Sequence, residues 1–352
     1  MNDRDTRHVR LALIGLGTVG RLLLGLFIDR KQALKDRYGL EFSLHCIADS
    51  SGVAVSETGF DMQAVIDHKA AGGKVAGLDG FIENGNPGDA LDQVHCNILL
   101  EASPLNLETG DPGLSNARSA LSRGLHLVLA NKSPLALAQQ ELEDLAAKND
   151  CGMLYSATFC GGLPVLNVIR RDMVCGNIHA FRGIFNGTTN FMLEALQGGG
   201  DYATALRQAQ EIGAAEADPS LDVGGWDTAA KLVIAANNFC APKITISDVE
   251  VTGIEDVDTG LLRRCRDEGN TMKLLATAEL VDGSWRFHVA PTAVPADSFL
   301  GSCNGWEMGA EIETDIYGKS SHKLLEEEPV PTAASMLRDT VHLALWGREA
   351  AR

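Results

Sequence analysis

The fold is decided by residues 9–28, which read VRLALI (9–14), GLGTVG (15–20) and RLLLGLFI (21–28). The first run has the length and composition of a buried strand, and the last run has apolar residues at helical spacing. The stretch therefore predicts a strand, a tight glycine turn and a helix that starts near Val19. Bare backbone at such a helix N-terminus can approach a pyrophosphate, whose negative charge the helix dipole favours.

The same alternation continues through the first 150 residues. Further strands are predicted over 42–48, 97–102 and 126–130, and helices over 115–122 and 135–148. Ser133 followed by Pro134 predicts an N-cap with proline at the first helical position of the second helix. Strands that alternate with helices indicate a parallel sheet covered on both faces, an α/β fold of the Rossmann type. Glycines that serve only tight helix packing are the alternative explanation of the turn.

Asp49 closes the second predicted strand and stands where an acidic residue would meet the adenosine ribose. A carboxylate there can accept hydrogen bonds from the ribose hydroxyls and would repel a 2′-phosphate. We therefore expect a nicotinamide dinucleotide, with NAD favoured over NADP. Asp49 lies 29 residues after Gly20 (49 − 20) rather than the usual ~20, so residues 36–39 are expected to add a turn.

The sequence changes character after about Cys151. Glycine-interrupted strands are predicted over 181–185, 249–254 and 274–281, and helices over 202–212, ended by Gly213, and 227–239. This pattern indicates a second domain of mixed α+β structure, over residues 151–317, after a dinucleotide-binding domain over residues 1–150. A last helix is predicted over 332–346, and the acidic run 326–328 before it is expected to be a solvated loop.

Asp227 and Lys231 are spaced to stand one turn apart on one helix face. A carboxylate in the first turn suits the helix dipole and can orient the lysine ammonium. A lysine partly desolvated in a cleft can pass a proton, whereas an ordinary surface ion pair is the alternative. The preceding loop is acidic and is a plausible seat for a substrate amino group, with Glu216, Asp218 and Asp222.

Two further segments carry polar side chains at element ends. The segment Gly187-Thr188-Thr189-Asn190 stands at a predicted helix N-terminus, which suits a carboxylate, although Asn190 as a simple N-cap is the alternative. Lys132 follows a buried strand at the sheet edge where ligands of open α/β folds bind, although a lysine there is often only solvated.

Composition excludes several classes of protein. Thirty Lys and Arg against forty-seven Asp and Glu give a formal charge of −17, and no basic patch is present to bind nucleic acid. No apolar stretch approaches the ~20 residues of a membrane span, and the N-terminal residues lack an apolar signal sequence. The eight cysteines form no Cys-x-x-Cys pair, which argues against a zinc site and disulfides and favours the reducing cytoplasm.

Four segments in order resemble the homoserine dehydrogenase family. They are the glycine turn 15–20, the segment 130–135 around Asn131-Lys132, the segment 185–191 (FNGTTNF), and residues 215–231 from Ala-Glu-Ala-Asp-Pro to Lys231. The resemblance implies NAD(P)-dependent interconversion of L-homoserine and L-aspartate 4-semialdehyde in threonine and methionine biosynthesis. It also implies a homodimer, and a C-terminal segment 318–352 that returns to the first domain. Residues 151–317 would then serve substrate binding and dimerisation.

The resemblance also implies residue roles. Lys132 and Lys231 would handle the proton at the substrate oxygen, with Asp227 positioning Lys231. The substrate-binding set implied or predicted is Glu216, which takes the substrate ammonium, with Asp222, Gly187, Thr188 and Asn190. The cofactor-binding set predicted is Gly15, Gly17, Thr18, Val19, Gly20, Asp49, Ser103, Pro104 and Lys132.

The chain departs from the family in two places. Ser156 replaces a glutamate that precedes a cation-binding turn in relatives, which weakens the case for a monovalent cation. Residues 317–321 (YGKSS) replace a Gly-Ala-Gly turn that helps close the nicotinamide pocket. A dehydrogenase of a related small hydroxy-amino acid is therefore an alternative. A chain of this length also leaves no room for the regulatory domain of many relatives, so no end-product inhibition through one is expected.

Two alternatives belong to other classes of protein. The first is a thiol-based aldehyde dehydrogenase with Cys160 as its nucleophile, although no histidine is near Cys160 in the sequence. The second is a dinucleotide-sensing regulator that has lost catalysis. The Asp227/Lys231 pair argues against the second alternative.

Overall fold

A computed structural model describes residues 6–211 and 218–351 and divides the chain into two compact units. Unit 1 comprises residues 1–161 and 328–352, and unit 2 comprises residues 162–327. The unit boundaries lie about ten residues beyond the predicted positions, 150 and 317. The strand Gly318–Leu325 belongs to unit 2 because it pairs with the strand before it. The functional roles assigned to the two domains stay predictions.

The elements of unit 1 that precede unit 2 follow one another with short connections. They are β1 (Arg7–Ile14), α1 (Thr18–Asp29), α2 (Lys31–Tyr38), β2 (Leu40–Asp49), β3 (Gly52–Phe60), α3 (Met62–Ala70), β4 (Phe81–Ile82), α4 (Pro87–Ala90), β5 (Ile98–Glu101), α5 (Gly113–Ser122), β6 (His126–Leu129), α6 (Ser133–Lys148) and β7 (Met153–Leu154).

The elements of unit 2 come next, and one further helix follows them. They are α7 (Val165–Asn167), β8 (Ile178–Ile184), α8 (Gly187–Gln197), α9 (Tyr202–Glu211), α10 (Ser220–Val223), α11 (Trp226–Ala236), β9 (Glu250–Val251), α12 (Thr259–Asp267), β10 (Asn270–Val281), β11 (Ser284–Pro295), β12 (Glu307–Thr314) and β13 (Gly318–Leu325), before α13 (Val330–Trp346) of unit 1.

The sheet of unit 1 has the strand order β4-β3-β2-β1-β5-β6-β7. Strands β2, β1, β5, β6 and β7 pair in parallel, as predicted. Strand β3 is antiparallel to β2 because a tight turn joins these two strands, and β4 is in turn antiparallel to β3. The winding direction switches between β1 and β5, the place where open α/β sheets bind ligands.

Apolar side chains from both ends of the chain form the core of unit 1. Leu11 and Leu13 of β1 and Leu23 of α1 are fully buried in one cluster with Met336 and Leu343 of α13. Helix α13 thus packs against α1. Among the described residues, no helix is long and apolar enough to span a membrane.

Unit 2 is built on a six-stranded sheet of order β13-β12-β8-β10-β11-β9. Neighbouring strands are antiparallel except β11 and β9. Helices α8, α11 and α12 pack on β10. The rings of Phe181 and Phe185 stack 5.4 Å apart in its core. The mixed α+β structure predicted for the second half is confirmed.

Several local predictions were wrong. The residues before β2 form α2, two turns of helix ended by Gly39 at φ +67°, rather than a turn over 36–39. Only Glu250–Val251 of the predicted strand 249–254 is a strand, because its one ladder, to β11, is two residues long. The acidic run 326–328 is a loop, as predicted, with Glu327 and Glu328 exposed, although the Glu326 carboxylate accepts a hydrogen bond from the Gly162 amide. Ile212 and Gly213 lie outside the described residues.

Ser133 does not cap helix α6. The N-cap position is Lys132, and no side chain caps this helix end. The Ser133 hydroxyl instead accepts a hydrogen bond of 2.7 Å from the Asn106 amide, which the loop after β5 brings to it. Pro134 does stand in the first turn, as predicted.

Candidate active site

The glycine turn lies between β1 and α1, and close backbone contacts require two of its glycines, Gly15 and Gly20. Gly15 has φ +100°, and a Cβ there would lie 2.2 Å from the Ala102 carbonyl oxygen. A Cβ on Gly20 would lie 2.2 Å from the Gly15 oxygen. Gly17, the N-cap of α1, has open space around its Cβ position, and no side chain caps the helix. Backbone amides that no side chain caps at a helix start fit a bound pyrophosphate.

Asp49 ends β2, but its carboxylate is already occupied by protein donors. Lys69 Nζ donates to Oδ2 at 2.7 Å, and the Val75 amide donates to the same oxygen. The amide and hydroxyl of Ser51 donate to Oδ1. Burial alone would raise the pKa of Asp49, but the hydrogen bonds from Lys69, Ser51 and Val75 outweigh it and lower the pKa to about 2. A ribose hydroxyl would have to displace one of these donors.

The segment after β5 is built on Glu101, which is fully buried. The Ser103 amide donates to Glu101 Oε1 at 2.8 Å, and the Ser103 hydroxyl donates to the same oxygen. Asn116 Nδ2 donates to Oε2 at 2.9 Å. Burial raises the pKa of Glu101, against the hydrogen bonds from Ser103 and Asn116.

The segment after β6 is tied to the segment after β5 by Asn131. Its Nδ2 donates to Ser103 Oγ and to the Pro104 carbonyl oxygen, each at 3.1 Å. Its Oδ1 accepts from the Ser133 amide at 3.0 Å. Lys132 stands between Asn131 and Ser133, so this network fixes its backbone. The predicted residues Ser103, Pro104 and Lys132 are thus brought together at one edge of the sheet of unit 1.

Asp227 and Lys231 form a close ion pair in unit 2. Lys231 Nζ lies 2.7 Å from Asp227 Oδ2 and donates to the Phe185 carbonyl oxygen at 2.6 Å. Their side chains are 12% and 10% exposed, so the surface ion pair weighed as the alternative is excluded. Gly225, at φ +83°, is the N-cap of α11, and Asp227 lies in the first turn of this helix, as predicted.

Asn186 joins this ion pair to its surroundings and carries no role in the sequence prediction. Its Nδ2 donates to Asp222 Oδ1 at 2.6 Å and to Asp227 Oδ2 at 3.0 Å. Its Oδ1 accepts from the Thr189 amide at 2.9 Å and caps α8. Asn directly before a helix is a common N-cap, and that signal could have identified it.

The structure places the other predicted substrate residues differently. Gly187 and Thr188 form the first turn of α8, beside Asn186. Asn190 is not the N-cap of α8. Its side chain is fully buried and has a structural role, so it is not exposed to a substrate. Its amide donates to carbonyl oxygens of residues 303, 305 and 307, and it accepts from Lys273 Nζ at 3.0 Å. Glu216 lies outside the described residues.

Comparison with known proteins shows the family to which this chain belongs. The family model for homoserine dehydrogenase matches residues 164–341. The homoserine dehydrogenase of Methanocaldococcus jannaschii is 35% identical over 334 residues, 95% of this chain and 98% of that protein. The chain belongs to the homoserine dehydrogenase family. The NAD(+)-dependent homoserine dehydrogenase of Pseudomonas canavaninivorans is 32% identical over 95% of this chain and 96% of its own length.

Solved structures of homoserine dehydrogenases have the same fold. A putative homoserine dehydrogenase from Archaeoglobus fulgidus has a TM-score of 0.84 at 30% identity, over 96% of this chain and 99% of that chain. A hyperthermophilic archaeal homoserine dehydrogenase in complex with NADPH has a TM-score of 0.81 at 25% identity, over 95% of this chain and 97% of that chain. The family resemblance, the Rossmann-type fold and an oxidoreductase of the homoserine dehydrogenase family are thereby confirmed.

Membership of the homoserine dehydrogenase family does not favour either alternative from another class, the thiol-based aldehyde dehydrogenase or the dinucleotide-sensing regulator. Cys160 is only 2% exposed, which leaves little access for an aldehyde to its thiol. Ser156, the residue that departs from the family, donates its amide and hydroxyl to the Asp339 carboxylate at 2.8 and 2.9 Å. A carboxylate therefore stands beside this position, supplied by α13. Residues 317–321 form the β12–β13 turn and the start of β13.

Proposed function

We propose that this chain interconverts L-homoserine and L-aspartate 4-semialdehyde with NAD or NADP, and that Lys231 handles the proton. The observation that carries the proposal is the buried contact of Lys231 with Asp227 and the Phe185 carbonyl. Two oxygen acceptors fix the position of the ammonium. A fixed cation stabilises the negative charge that develops on the substrate oxygen.

When bound, the nicotinamide would supply the hydride in one direction and take it in the other. In the reducing direction the aldehyde carbon gains the hydride, and the Lys231 ammonium gives its proton to the carbonyl oxygen, which becomes the hydroxyl of homoserine. In the oxidising direction the neutral amine takes the hydroxyl proton back. Lys132 is proposed as the second residue that handles this proton, on the basis of the family resemblance.

Asp222 and Glu216 are proposed to bind the substrate ammonium, with Gly187 and Thr188 near its carboxylate. The Asn186 amide holds Asp222 Oδ1 in place, and the start of α8 offers backbone amides to an anion. The role of Glu216 rests on the resemblance. Asn190 is left out of this set because its side chain is engaged inside unit 2.

The dinucleotide is proposed to bind along the glycine turn, residues 15–20, toward Asp49 on one side and Ser103, Pro104 and Lys132 on the other. The Lys69 ammonium compensates the charge of Asp49. The preference for NAD that this carboxylate predicts is therefore expected to be modest. No monovalent cation is required by the residues of this proposal.

A homodimer in the cytoplasm is proposed for the assembly and its location. The dimer rests on the family resemblance. The cytoplasm is supported by the eight cysteines, all of which are free thiols. Sedimentation of the purified protein would measure the mass of the assembly, and a monomer at all concentrations would contradict the dimer.

The test of function is absorbance at the nicotinamide band with purified protein, L-homoserine and each dinucleotide in turn. We expect reduction of NAD or NADP with homoserine, and little with other small hydroxy-amino acids. L-serine and L-threonine serve as the comparison substrates, because they carry the hydroxyl on a different or branched carbon. Faster turnover of either than of homoserine would reject the proposed substrate.

A further inference from the structure

One buried acidic residue of unit 1 has no role in the proposed proton transfer. Glu101 is fully buried at the end of β5, next to the point where the winding of the sheet switches direction. Among the described residues, no lysine, arginine or histidine forms an ion pair with it, and Ser103 and Asn116 contact it with neutral hydrogen-bond donors. A buried carboxylate without a cation is costly in stability. Such a residue at a ligand-binding edge indicates a functional requirement.

The carboxylate of Glu101 organises the backbone beside the glycine turn. It accepts both hydrogen bonds from Ser103, and a Cβ on Gly15 would lie only 2.7 Å from the Ser103 nitrogen. The segment after β5 is therefore held directly against the turn. Ser103 in turn accepts from Asn131, whose Oδ1 accepts from the amide of Ser133. One chain of hydrogen bonds runs from Glu101 to the residues on both sides of Lys132.

We propose that Glu101 is a positioning residue that fixes the segments after β5 and β6 for the nicotinamide half of the dinucleotide. The inference rests on the proposed function. The pyrophosphate site lies at the start of α1, and Asp49 lies on the β2 side of β1. The nicotinamide half therefore extends to the other side of β1, over the ends of β5 and β6. Ser103 and Pro104 stand there, on backbone that Glu101 orders.

The test compares two ligands that differ in the nicotinamide. Glu101→Gln keeps the side-chain shape but replaces one carboxylate oxygen by an NH2 group. Because an NH2 group cannot accept a hydrogen bond from Ser103 or Asn116, one of these hydrogen bonds is lost. We expect the dissociation constant of NADH, measured by calorimetry, to rise about tenfold. The dissociation constant of ADP-ribose, which lacks the nicotinamide, is expected to change less than about twofold. Turnover is expected to fall as well, since Lys132 is held by the same network.

A matched control separates positioning from general loss of stability. Asp339 is also buried in unit 1, and its carboxylate also accepts the amide and the hydroxyl of one serine, Ser156. Asp339→Asn should lower the melting temperature by a similar amount but leave the ratio of the NADH and ADP-ribose dissociation constants unchanged. The same ratio shift in both variants would overturn the inference.

Other outcomes also decide the question. Unchanged NADH binding in Glu101→Gln, or equal weakening of both ligands, would overturn the positioning role. If Glu101→Gln does not fold, Asn116→Ala can be measured in its place, because it removes the donor that α5 supplies to the carboxylate. We expect a smaller loss of NADH affinity, again with little change in ADP-ribose affinity. Equal weakening of both ligands in Asn116→Ala would overturn it too. Failure of the unmodified protein to bind NADH at all would instead reject the proposed function.

Discussion

A lysine contributes to proton transfer through its position, and Lys231 is positioned by two different elements. Asp227 lies one turn before it on α11, and the Phe185 carbonyl comes from the end of β8. The ion pair lies on one helix face and follows from the sequence spacing. The carbonyl contact spans 46 residues and does not follow from any local pattern.

Lys231→Ala is expected to lower turnover by about 100-fold or more, because general acid–base catalysis typically contributes 10²–10⁴-fold. NADH affinity should stay unchanged, since the proposed cofactor residues belong to unit 1. Steady-state kinetics and calorimetry measure the two quantities. Lys319→Ala is the matched control, because Lys319 also pairs with a carboxylate of unit 2, Glu311, but is half-exposed. Normal turnover in Lys231→Ala would remove this lysine from the mechanism.

Lys69 is expected to set how strongly the protein discriminates against NADP. Lys69→Met removes the cation that compensates Asp49, so the repulsion of a 2′-phosphate should increase. We expect kcat/KM for NADP to fall about tenfold, with a smaller change for NAD. Asp49→Ser should shift the preference in the opposite direction, toward NADP. An unchanged ratio of the two kcat/KM values in both variants would show that this pair lies away from the ribose.

Asp49 also makes a prediction for acid stability. Its pKa is about 2 in the folded state, against an ordinary value of 3.8 for an aspartate, so the carboxylate stabilises the fold above pH 3.8 and loses this contribution as pH falls toward 2. The contribution is about 2 kcal/mol at neutral pH and about half of that near pH 3. Urea unfolding of the protein and of Asp49→Asn at several pH values measures it. A pH-independent difference between them would contradict the lowered pKa.

At the scale of elements, helix α8 begins where the proposed substrate residues of unit 2 meet, because Asn186 both caps it and contacts Asp222 and Asp227. Asn186→Asp keeps the capping oxygen but brings a third carboxylate beside two others. We expect it to retain most of the thermal stability and to lose about tenfold or more in turnover. Asn186→Ala should lower the free energy of unfolding by about 1 kcal/mol, through loss of the cap.

Thermal melts and steady-state kinetics on both Asn186 variants separate the two roles. Asp201 provides the comparison, since its carboxylate accepts from the Thr204 amide near the start of α9, away from the ion pair. Asp201→Asn should leave both stability and turnover nearly unchanged. If Asn186→Asp retains full turnover, the amide donor is not needed to hold the two carboxylates.

Elements with a strong local signal were predicted from the sequence, and elements that depend on distant partners were not. The strand, glycine turn and helix of residues 7–29 were predicted within a few residues, because apolar spacing and glycine fix them locally. Helix α2 was missed because its polar sequence buries only Leu34 and has no apolar face to detect. The role of Ser133 was mistaken because its partner, Asn106, lies 27 residues earlier in the chain.

The same distinction holds for the candidate site. The Asp227–Lys231 pair follows from helical spacing alone, so the sequence predicted it. The contact of Lys69 with Asp49 spans 20 residues, and the hydrogen bond from Lys273 to Asn190 spans 83 residues. Such contacts depend on how strands and helices pack, and one sequence contains no local signal for them. They changed the interpretation of Asp49 and of Asn190.

At the scale of the whole molecule, the net charge of −17 acts on every anionic ligand that approaches. NADH carries a negative pyrophosphate, so long-range repulsion is expected to slow its association at low ionic strength. Salt shortens the Debye length from about 30 Å at 0.01 M to about 8 Å at 0.15 M and screens that repulsion. The association rate constant of NADH should therefore rise about twofold or more over this range, measured by stopped-flow fluorescence.

NADPH carries an additional phosphate, so its association rate constant should rise more steeply with salt than that of NADH. Uncharged adenosine, which shares the proposed adenosine site, is the control and should show little change. The opposite salt dependence of the NADH association rate constant would also be informative. A rate constant for NADH that falls with salt would mean that local positive potential, from the start of α1 and from Lys69 and Lys132, outweighs the net charge. The local potential, rather than the charge of the whole chain, would then decide how fast the cofactor reaches its site.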